Sequence, residues 1–202
     1  MAQFSHIAGV PVLDLINTVE WRLSATEREE DLVTYAHVAQ WGLESGFLDE
    51  QEHAQVLRLV RHNADEAEAE RLHIIALRES AYSAIFSGSQ GAEDDLAAEY
   101  GEAIEHSSLT RDGDRWLWQP SELTLSTLRH RIAIALIEFM ARDDLDRLHQ
   151  CEDVACGWVY LDTSPRRNRR WCVTADCGDR NRSRAYYARQ KAKGSQQDPD
   201  TP

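Results

Sequence analysis

The feature that most constrains this chain is the placement of its four cysteines. They form two pairs, Cys151-x4-Cys156 and Cys172-x4-Cys177, with 15 residues between the pairs. The 150 residues before the first pair contain no cysteine at all. Paired cysteines of this kind have three explanations, which are disulfide bridges, a reactive thiol and a metal site.

A metal site agrees best with the rest of the sequence. Two disulfides would suit a small secreted domain, but residues 1–18 lack the basic stretch and cleavage site of a signal peptide. We therefore expect a cytoplasmic protein whose thiols stay reduced. A catalytic or redox cysteine more often stands alone with a distant His, or forms Cys-x-x-Cys. Two close pairs flanking about one hairpin fit a tetrahedral structural Zn²⁺ site.

We predict one structural zinc ion held by these four thiolates. His149 is a weaker candidate, because four cysteines already complete the ligand set. The predicted metal ligands are Cys151, Cys156, Cys172 and Cys177.

The residues around the cysteines predict a knuckle, a β-hairpin and a helix. GWVYLD after Cys156 has a strand pattern, and RRWC would return antiparallel to it after the turn-forming TSPRRN. Gly157 and Gly178 each follow a cysteine, where they would let the backbone turn tightly and direct N–H groups at sulfur. GDRNRSRAYYARQKAK predicts a helix with Cys177 at its N-terminus, which favours the thiolate.

Residues 1–148 predict a mainly helical domain with one β-hairpin, so the whole chain is of the mainly α (α+β) class. Asp112-Gly113 lies between short stretches, with Trp116 and Trp118 at alternating positions, and this pattern is typical of a hairpin turn. Amphipathic or apolar patterns predict helices over residues 10–23, 31–46, 50–63, 66–88, 92–108 and 121–142. Residues 149–193 would form the zinc finger, and residues 194–202 a disordered tail.

Charge is distributed unevenly along the chain. The net charge is −13, but residues 1–150 carry −16, whereas residues 164–193 carry +8. An acidic body repels polyanions and a compact basic segment attracts them. The basic segment would therefore either bind nucleic acid or serve only for solubility and for docking on the acidic body.

Arginine can donate two parallel hydrogen bonds to phosphate or to guanine, so the basic segment supplies candidate nucleic-acid contacts. Arg170 and Arg180 lie nearest the cysteines, and we expect them to pair with carboxylates or with the thiolates instead. RNA or an acidic protein is the alternative partner, and a homodimer on two half-sites would strengthen DNA binding. The predicted contacts are Arg166, Arg167, Arg169, Arg182, Arg184, Arg189 and Lys191.

The motif C-x4-C-G-W-x-Y-L-D-T-S-x5-R-W-C-x4-C-G-D-R resembles the CGNR zinc-finger family. Asp179 stands where the family signature has Asn. The segments LDLINTVEWR (13–22), DLVTYAHVAQWGLESGFLD (31–49) and ALRESAYSAIF (76–86), with the Trp116 hairpin, are similar to the ABATE domain. This resemblance implies a zinc-dependent, DNA-binding bacterial transcription regulator with an N-terminal domain proposed to sense a ligand.

Four residues beside apolar segments are candidates for binding a small anion or aromatic metabolite, namely Asn17, Trp21, Trp41 and Arg78. Asn17 and Trp21 would share a face of the first predicted helix. Each also has a structural explanation: Asn17 would bind a neighbouring backbone, the tryptophans would be core residues, and Arg78 would pair with a Glu.

The sequence contains no Gly-rich phosphate loop, no His-Glu-x-x-His motif and no nucleophile elbow. We therefore predict that the protein is not an enzyme. The alternative to a DNA-binding regulator is a zinc-containing protein–protein adaptor, or an RNA-binding protein, without DNA specificity. No run of 18 apolar residues is present, so no membrane span is expected.

Overall fold

A computed structural model describes residues 3–194, which form helices and three two-stranded antiparallel sheets. This architecture confirms the predicted mainly α class with small hairpins. The helices are α1 (Pro11–Ile16), α2 (Tyr35–Glu44), α3 (Glu50–His62), α4 (Ala64–Ser87), α5 (Gln90–Glu105), α6 (Thr127–Met140) and α7 (Asp179–Gly194). The strands are β1 (Val19–Glu20), β2 (Glu29–Glu30), β3 (Ser107–Asp112), β4 (Arg115–Pro120), β5 (Leu148–Gln150) and β6 (Val159–Leu161). The predicted tail lies outside the described residues from residue 195 onward.

Local side-chain chemistry determines where several helices begin and end. A capping box starts α2, in which Thr34 accepts the backbone N–H of His37. A second capping box starts α3, where the Asp49 carboxylate accepts the N–H of Glu52 at 2.7 Å. Gly88 ends α4 in the left-handed region at φ 59°, a conformation that costs glycine little.

The most apolar helix, α6, lies at the centre of the core and packs against α1, α4 and α5. Its Leu128, Ile132 and Leu136 are fully buried. Gly42 of α2 faces α6 so closely that an added Cβ would lie 2.8 Å from Leu128 Cδ2. The helix begins at Thr127 and not at residue 121, because a turn follows β4 and Thr127 Oγ1 accepts the N–H of Thr124 there.

The prediction of one helix over residues 10–23 is wrong, because α1 ends at Ile16. The chain turns at Asn17, whose side-chain amide pairs with the backbone of Val159: Oδ1 accepts the N–H at 2.7 Å, and Nδ2 donates to the carbonyl at 2.9 Å. Trp21 then adopts a positive φ of 50°. Asn17 and Trp21 therefore do not share a helical face.

The predicted hairpin between GWVYLD and RRWC is also wrong. β6 pairs instead with β5, with Leu148 opposite Leu161 and Gln150 opposite Val159. This pairing places Val159 and Leu161 in the main hydrophobic core, where the helical domain covers them. His149 faces Tyr160 across the two strands, with ring centroids 6.1 Å apart.

The cysteine-containing segment is docked directly on the helical domain. The backbone N–H groups of Arg22 and Leu23 donate to the carbonyls of Cys156 and Ala155 at 2.9 and 3.1 Å. Gly157 makes this approach possible, because it has φ 74° and an added Cβ would lie 2.9 Å from Arg22 Cβ. The predicted boundary between residues 148 and 149 falls inside β5, so the two parts share a sheet.

We expect Asn17→Ala to lower the free energy of unfolding by at least about 2 kcal/mol, because the buried N–H and carbonyl of Val159 would each lose their partner. Chemical denaturation of the purified protein measures this change. Asn63→Ala is the matched control, since Asn63 is exposed and its side chain caps no helix. Equal stability of the two variants would contradict the structural role given to Asn17.

Candidate metal centre and basic helix

The four cysteines converge on one point although the chain supplies them from separate segments. One sulfur from each residue lies within 4.8 Å of the others, and all four side chains are buried and free of disulfides. The Sγ atom of Cys172 lies 3.6 Å from that of Cys156 and 3.4 Å from that of Cys177. A tetrahedral zinc ion with sulfurs at about 2.3 Å needs sulfur–sulfur distances of about 3.8 Å. The donor set therefore fits a closed four-thiolate metal site.

Without a cation, burial and hydrogen bonding among the cysteines raise the pKa of three of the four thiols, which disfavours their thiolate forms. Burial raises the pKa of the Cys177 thiol, and hydrogen bonding to Cys151 together with burial raises the pKa of Cys172. Four thiolates would repel one another strongly without positive charge at their centre. A bound divalent cation removes this penalty and deprotonates the thiols.

The π-helical turn Thr174–Gly178 carries Cys177 to the start of α7. The N–H of Gly178 donates to the carbonyl of Val173 at 3.2 Å, which closes this turn. An added Cβ on Gly178 would lie 3.1 Å from Trp171 Cδ1, so glycine lets the turn pack against the Trp171 ring. The predicted position of Cys177 at a helix N-terminus agrees with this arrangement.

One buried carboxylate joins the cysteine cluster to α7. Asp153 Oδ2 accepts hydrogen bonds from Arg180, Asn181 and Arg184 at 3.1, 2.6 and 3.0 Å. Burial alone would raise the pKa of Asp153, but the N–H of Ala155 and the Arg180 guanidinium hold it below its ordinary value. Asp153 therefore stays ionised and fixes the first turns of α7. Sequence reasoning did not single it out as the residue that holds this helix.

Arg180 connects three features of the site. Its Nη2 donates to Cys177 Sγ at 3.0 Å, and its Nη1 donates to Asp176 at 2.8 Å. The same guanidinium stacks on the Trp21 ring, 4.4 Å from its centroid. The expected pairing of Arg180 with the thiolates and with nearby carboxylates is therefore present.

The basic residues predicted to bind nucleic acid fall into two groups. Arg169 points inward, where it donates to the carbonyls of Trp171 and Cys172 and stacks 4.0 Å above Tyr160. The others are exposed, although some of them also form ion pairs within the finger. The exposed set is Arg166, Arg167, Arg182, Arg184, Arg189 and Lys191.

Ion pairs hold several of these exposed side chains in place. Arg167 pairs with Asp146 at 2.8 Å, and Arg182 pairs with Asp179 one turn earlier. Arg170 pairs with Glu152 at 2.5 Å, as expected of an arginine close to the cysteines. Exposed pairs of this kind contribute little stability, so a phosphate group could replace the carboxylate at small cost.

The residues predicted to bind a small molecule do not line one cavity. Asn17 holds the finger, and Trp41 is fully buried in the core beside Phe47. Arg78 is also fully buried, and its guanidinium donates to Glu30 at 2.6 and 2.8 Å. Trp21 lies apart from these, beneath Arg180. Their structural roles account for these side chains.

The fold and the four-cysteine cluster define a helical domain joined to a zinc-finger-type module. Residues 9–143 match the model of the ABATE family, described as "Putative stress-induced transcription regulator", and residues 147–190 match the model of the CGNR zinc finger. Since the first match covers more than half of the chain, this protein belongs to the ABATE family and carries a CGNR zinc finger. No curated protein matches the chain. None of the described helices combines the length and apolar character needed to cross a membrane.

We expect Cys172→Ser to abolish stoichiometric metal binding, because one of four ligands is lost. After dialysis that removes exchangeable ions, elemental analysis should find about one metal ion per chain before the change and almost none after it. Hydrogen exchange should accelerate in α7 but not in α6, which lies in the main core. Thr174→Ser, in the same segment, should change neither measurement. Stoichiometric metal in the serine variant after the same dialysis would rule out the four-cysteine site.

Asp153→Asn should weaken metal retention about 10- to 100-fold, the usual cost of losing a group that orients a ligand or its partner. The neutral amide accepts fewer strong hydrogen bonds from the two arginines, so Arg180 would be held less firmly against Cys177. Competition with a chelator measures the change. Asp146→Asn removes the same charge from an exposed ion pair and serves as the control. Similar metal retention in both variants would refute the anchoring role.

Proposed function

We propose that the protein is a non-enzymatic, zinc-dependent transcription regulator that binds DNA through α7 and the adjoining basic loop. The observation that carries this proposal is the position of α7. The helix has 16 residues, about 24 Å at 1.5 Å per residue, and from residue 182 to 192 every side chain is exposed. Its first turns are fixed to the metal centre through Asp153.

An exposed polar helix of this kind is suited to binding a partner molecule. Few isolated helices of this length are stable in water, so anchoring at one end and contact along the rest would both help to maintain it. An α-helix fits the major groove of B-DNA. Tyr186 and Tyr187 are 52% and 69% exposed among the basic side chains, so they would contact sugar or base edges.

The charge distribution also supports binding of DNA through α7 and the adjoining basic loop. Arg166 and Arg167 lie on the exposed loop before Cys172, and Arg182 and Arg189 lie on one face of α7. The acidic helical domain would be repelled by phosphate and would turn the basic segment toward the duplex. Zinc is the ion we assign to the four thiolates, and Arg180 would offset part of the net charge of −2.

Formation of a homodimer and sensing of a small molecule stay predictions. A homodimer would increase affinity if the DNA site were two-fold symmetric. Sensing of a small molecule by the helical domain is implied by the resemblance, and the buried positions of Asn17, Trp41 and Arg78 do not supply a site for it.

We expect the metal-loaded protein to bind duplex DNA with an affinity that falls steeply as salt rises. Combining Arg182→Ala with Arg189→Ala should weaken binding at least about tenfold and reduce the salt slope by about 2, because two phosphate contacts are lost. Fluorescence anisotropy on random-sequence duplexes at several salt concentrations measures both quantities.

The control combines Arg58→Ala with Arg61→Ala, which removes the same charge from α3, and it should bind like the wild-type protein. Equal weakening in the two double variants would show that only overall charge matters. Absence of binding at low salt would exclude DNA, and preference for single-stranded RNA would favour the RNA-binding alternative.

A further inference from the structure

A second group of metal-binding side chains lies away from the cysteines. Glu102 and His106 lie at the C-terminal end of α5, and His130 lies in the first turn of α6. One ligand atom from each lies within 4.8 Å of the other two. The two imidazole rings face each other with centroids 5.1 Å apart. The cluster therefore joins the two helices at the base of the β3–β4 hairpin.

The hydrogen bonding of His106 leaves a ring nitrogen available. His106 Nδ1 lies 2.9 Å from the backbone carbonyl of Glu102, one turn earlier. A carbonyl oxygen only accepts, so Nδ1 must carry the proton of the neutral ring, and the lone pair belongs to Nε2. Histidines that bind metals are commonly oriented by such a bond from the second nitrogen.

The charge around the cluster favours a cation. The buried Arg129 guanidinium is shared by three carboxylates, those of Glu70, Glu99 and Glu102. These four groups together carry a charge of −2. Hydrogen bonds from Arg129 lower the pKa of Glu102 to about 2, so its carboxylate is ionised. Arg129 would keep Glu70 and Glu99 as partners if Glu102 turned toward an ion.

We propose that Glu102, His106 and His130 form a second metal site that takes a divalent transition ion such as Zn²⁺ or Ni²⁺. Two imidazoles and one carboxylate suit these ions and leave positions for water or an added ligand. The site differs from the cysteine cluster in access, because Glu102 and His106 are exposed, whereas all four cysteines are buried. An ion here exchanges with solvent, and its binding ties α5 to α6.

The test uses the full-length, tag-free protein with its finger loaded with zinc. Equilibrium dialysis against Ni²⁺, followed by elemental analysis, counts zinc and nickel separately. We expect one zinc and one nickel per chain in the wild-type protein. His106→Gln should weaken nickel binding at least about tenfold while the zinc content stays at one. His106 is exposed, so this variant should fold.

His62→Gln is the matched control, since His62 is an exposed histidine at the end of another helix, α3. A second variant, His130→Gln, tests the buried ligand, with circular dichroism to confirm its fold. A wild-type protein that binds no nickel beside its zinc would overturn the proposal. So would nickel binding that His106→Gln and His62→Gln leave equally strong, because the nickel would then bind elsewhere.

Discussion

The buried carboxylate of Asp153 is the interaction on which the exposed part of this protein depends. It lies between the first two cysteines in sequence and accepts hydrogen bonds from three side chains of α7. A buried charge is stable only when it is paired and fully hydrogen-bonded, so the helix and the knuckle stabilise each other. The metal and the carboxylate are coupled through Arg180, which contacts Asp153 and Cys177 together.

Hydrogen bonds of the backbone and of charged side chains join the helical domain to the finger. Arg22 donates its backbone N–H to Cys156, and its side chain bonds to Glu79 of α4 at 2.6 Å. Glu79 also accepts from the buried Arg78, which donates to Glu30 and to Thr18 as well. A displacement of α4 would therefore be transmitted through charged, hydrogen-bonded contacts to the backbone of the metal site. This network is a physical connection between the two parts.

The sequence was sufficient to predict the elements whose signals are local. The cysteine pairs, the helix after Cys177 and the Asp112-Gly113 hairpin each depend on a short motif, and the structure has all three. The errors over residues 10–23 and over the pairing of β6 came from contacts distant in sequence. Asn17 ends its helix because its amide pairs with Val159, 142 residues later, and no periodicity within residues 10–23 could indicate that. The pairing of β6 with β5 likewise depends on burial against the helical domain.

The candidate ligand residues also show that the sequence does not reveal contacts between distant residues. A polar side chain in an apolar segment indicates either a binding site or an internal partner, and composition cannot distinguish the two. Arg78 has its carboxylate partners in β2 and on its own helix, and only the fold brings Glu30 to it. The group formed by Glu102, His106 and His130, in contrast, was not indicated by the sequence. Glu102 and His106 are four residues apart, but His130 follows 24 residues after His106, across a hairpin, so no motif spacing marks the three together.

Asp179, where the CGNR signature has asparagine, bears on how the basic helix would meet DNA. It occupies the first turn of α7, where a negative charge is favourable to the helix dipole, and it pairs with Arg182. Aspartate in place of asparagine at this position is therefore compatible with the fold. The same pairing restrains one cation near the N-terminal end and adds a charge that repels phosphate there. Arg182 would have to exchange this carboxylate for phosphate, whereas Arg189 and Arg166 of the loop are exposed and farther from it in sequence.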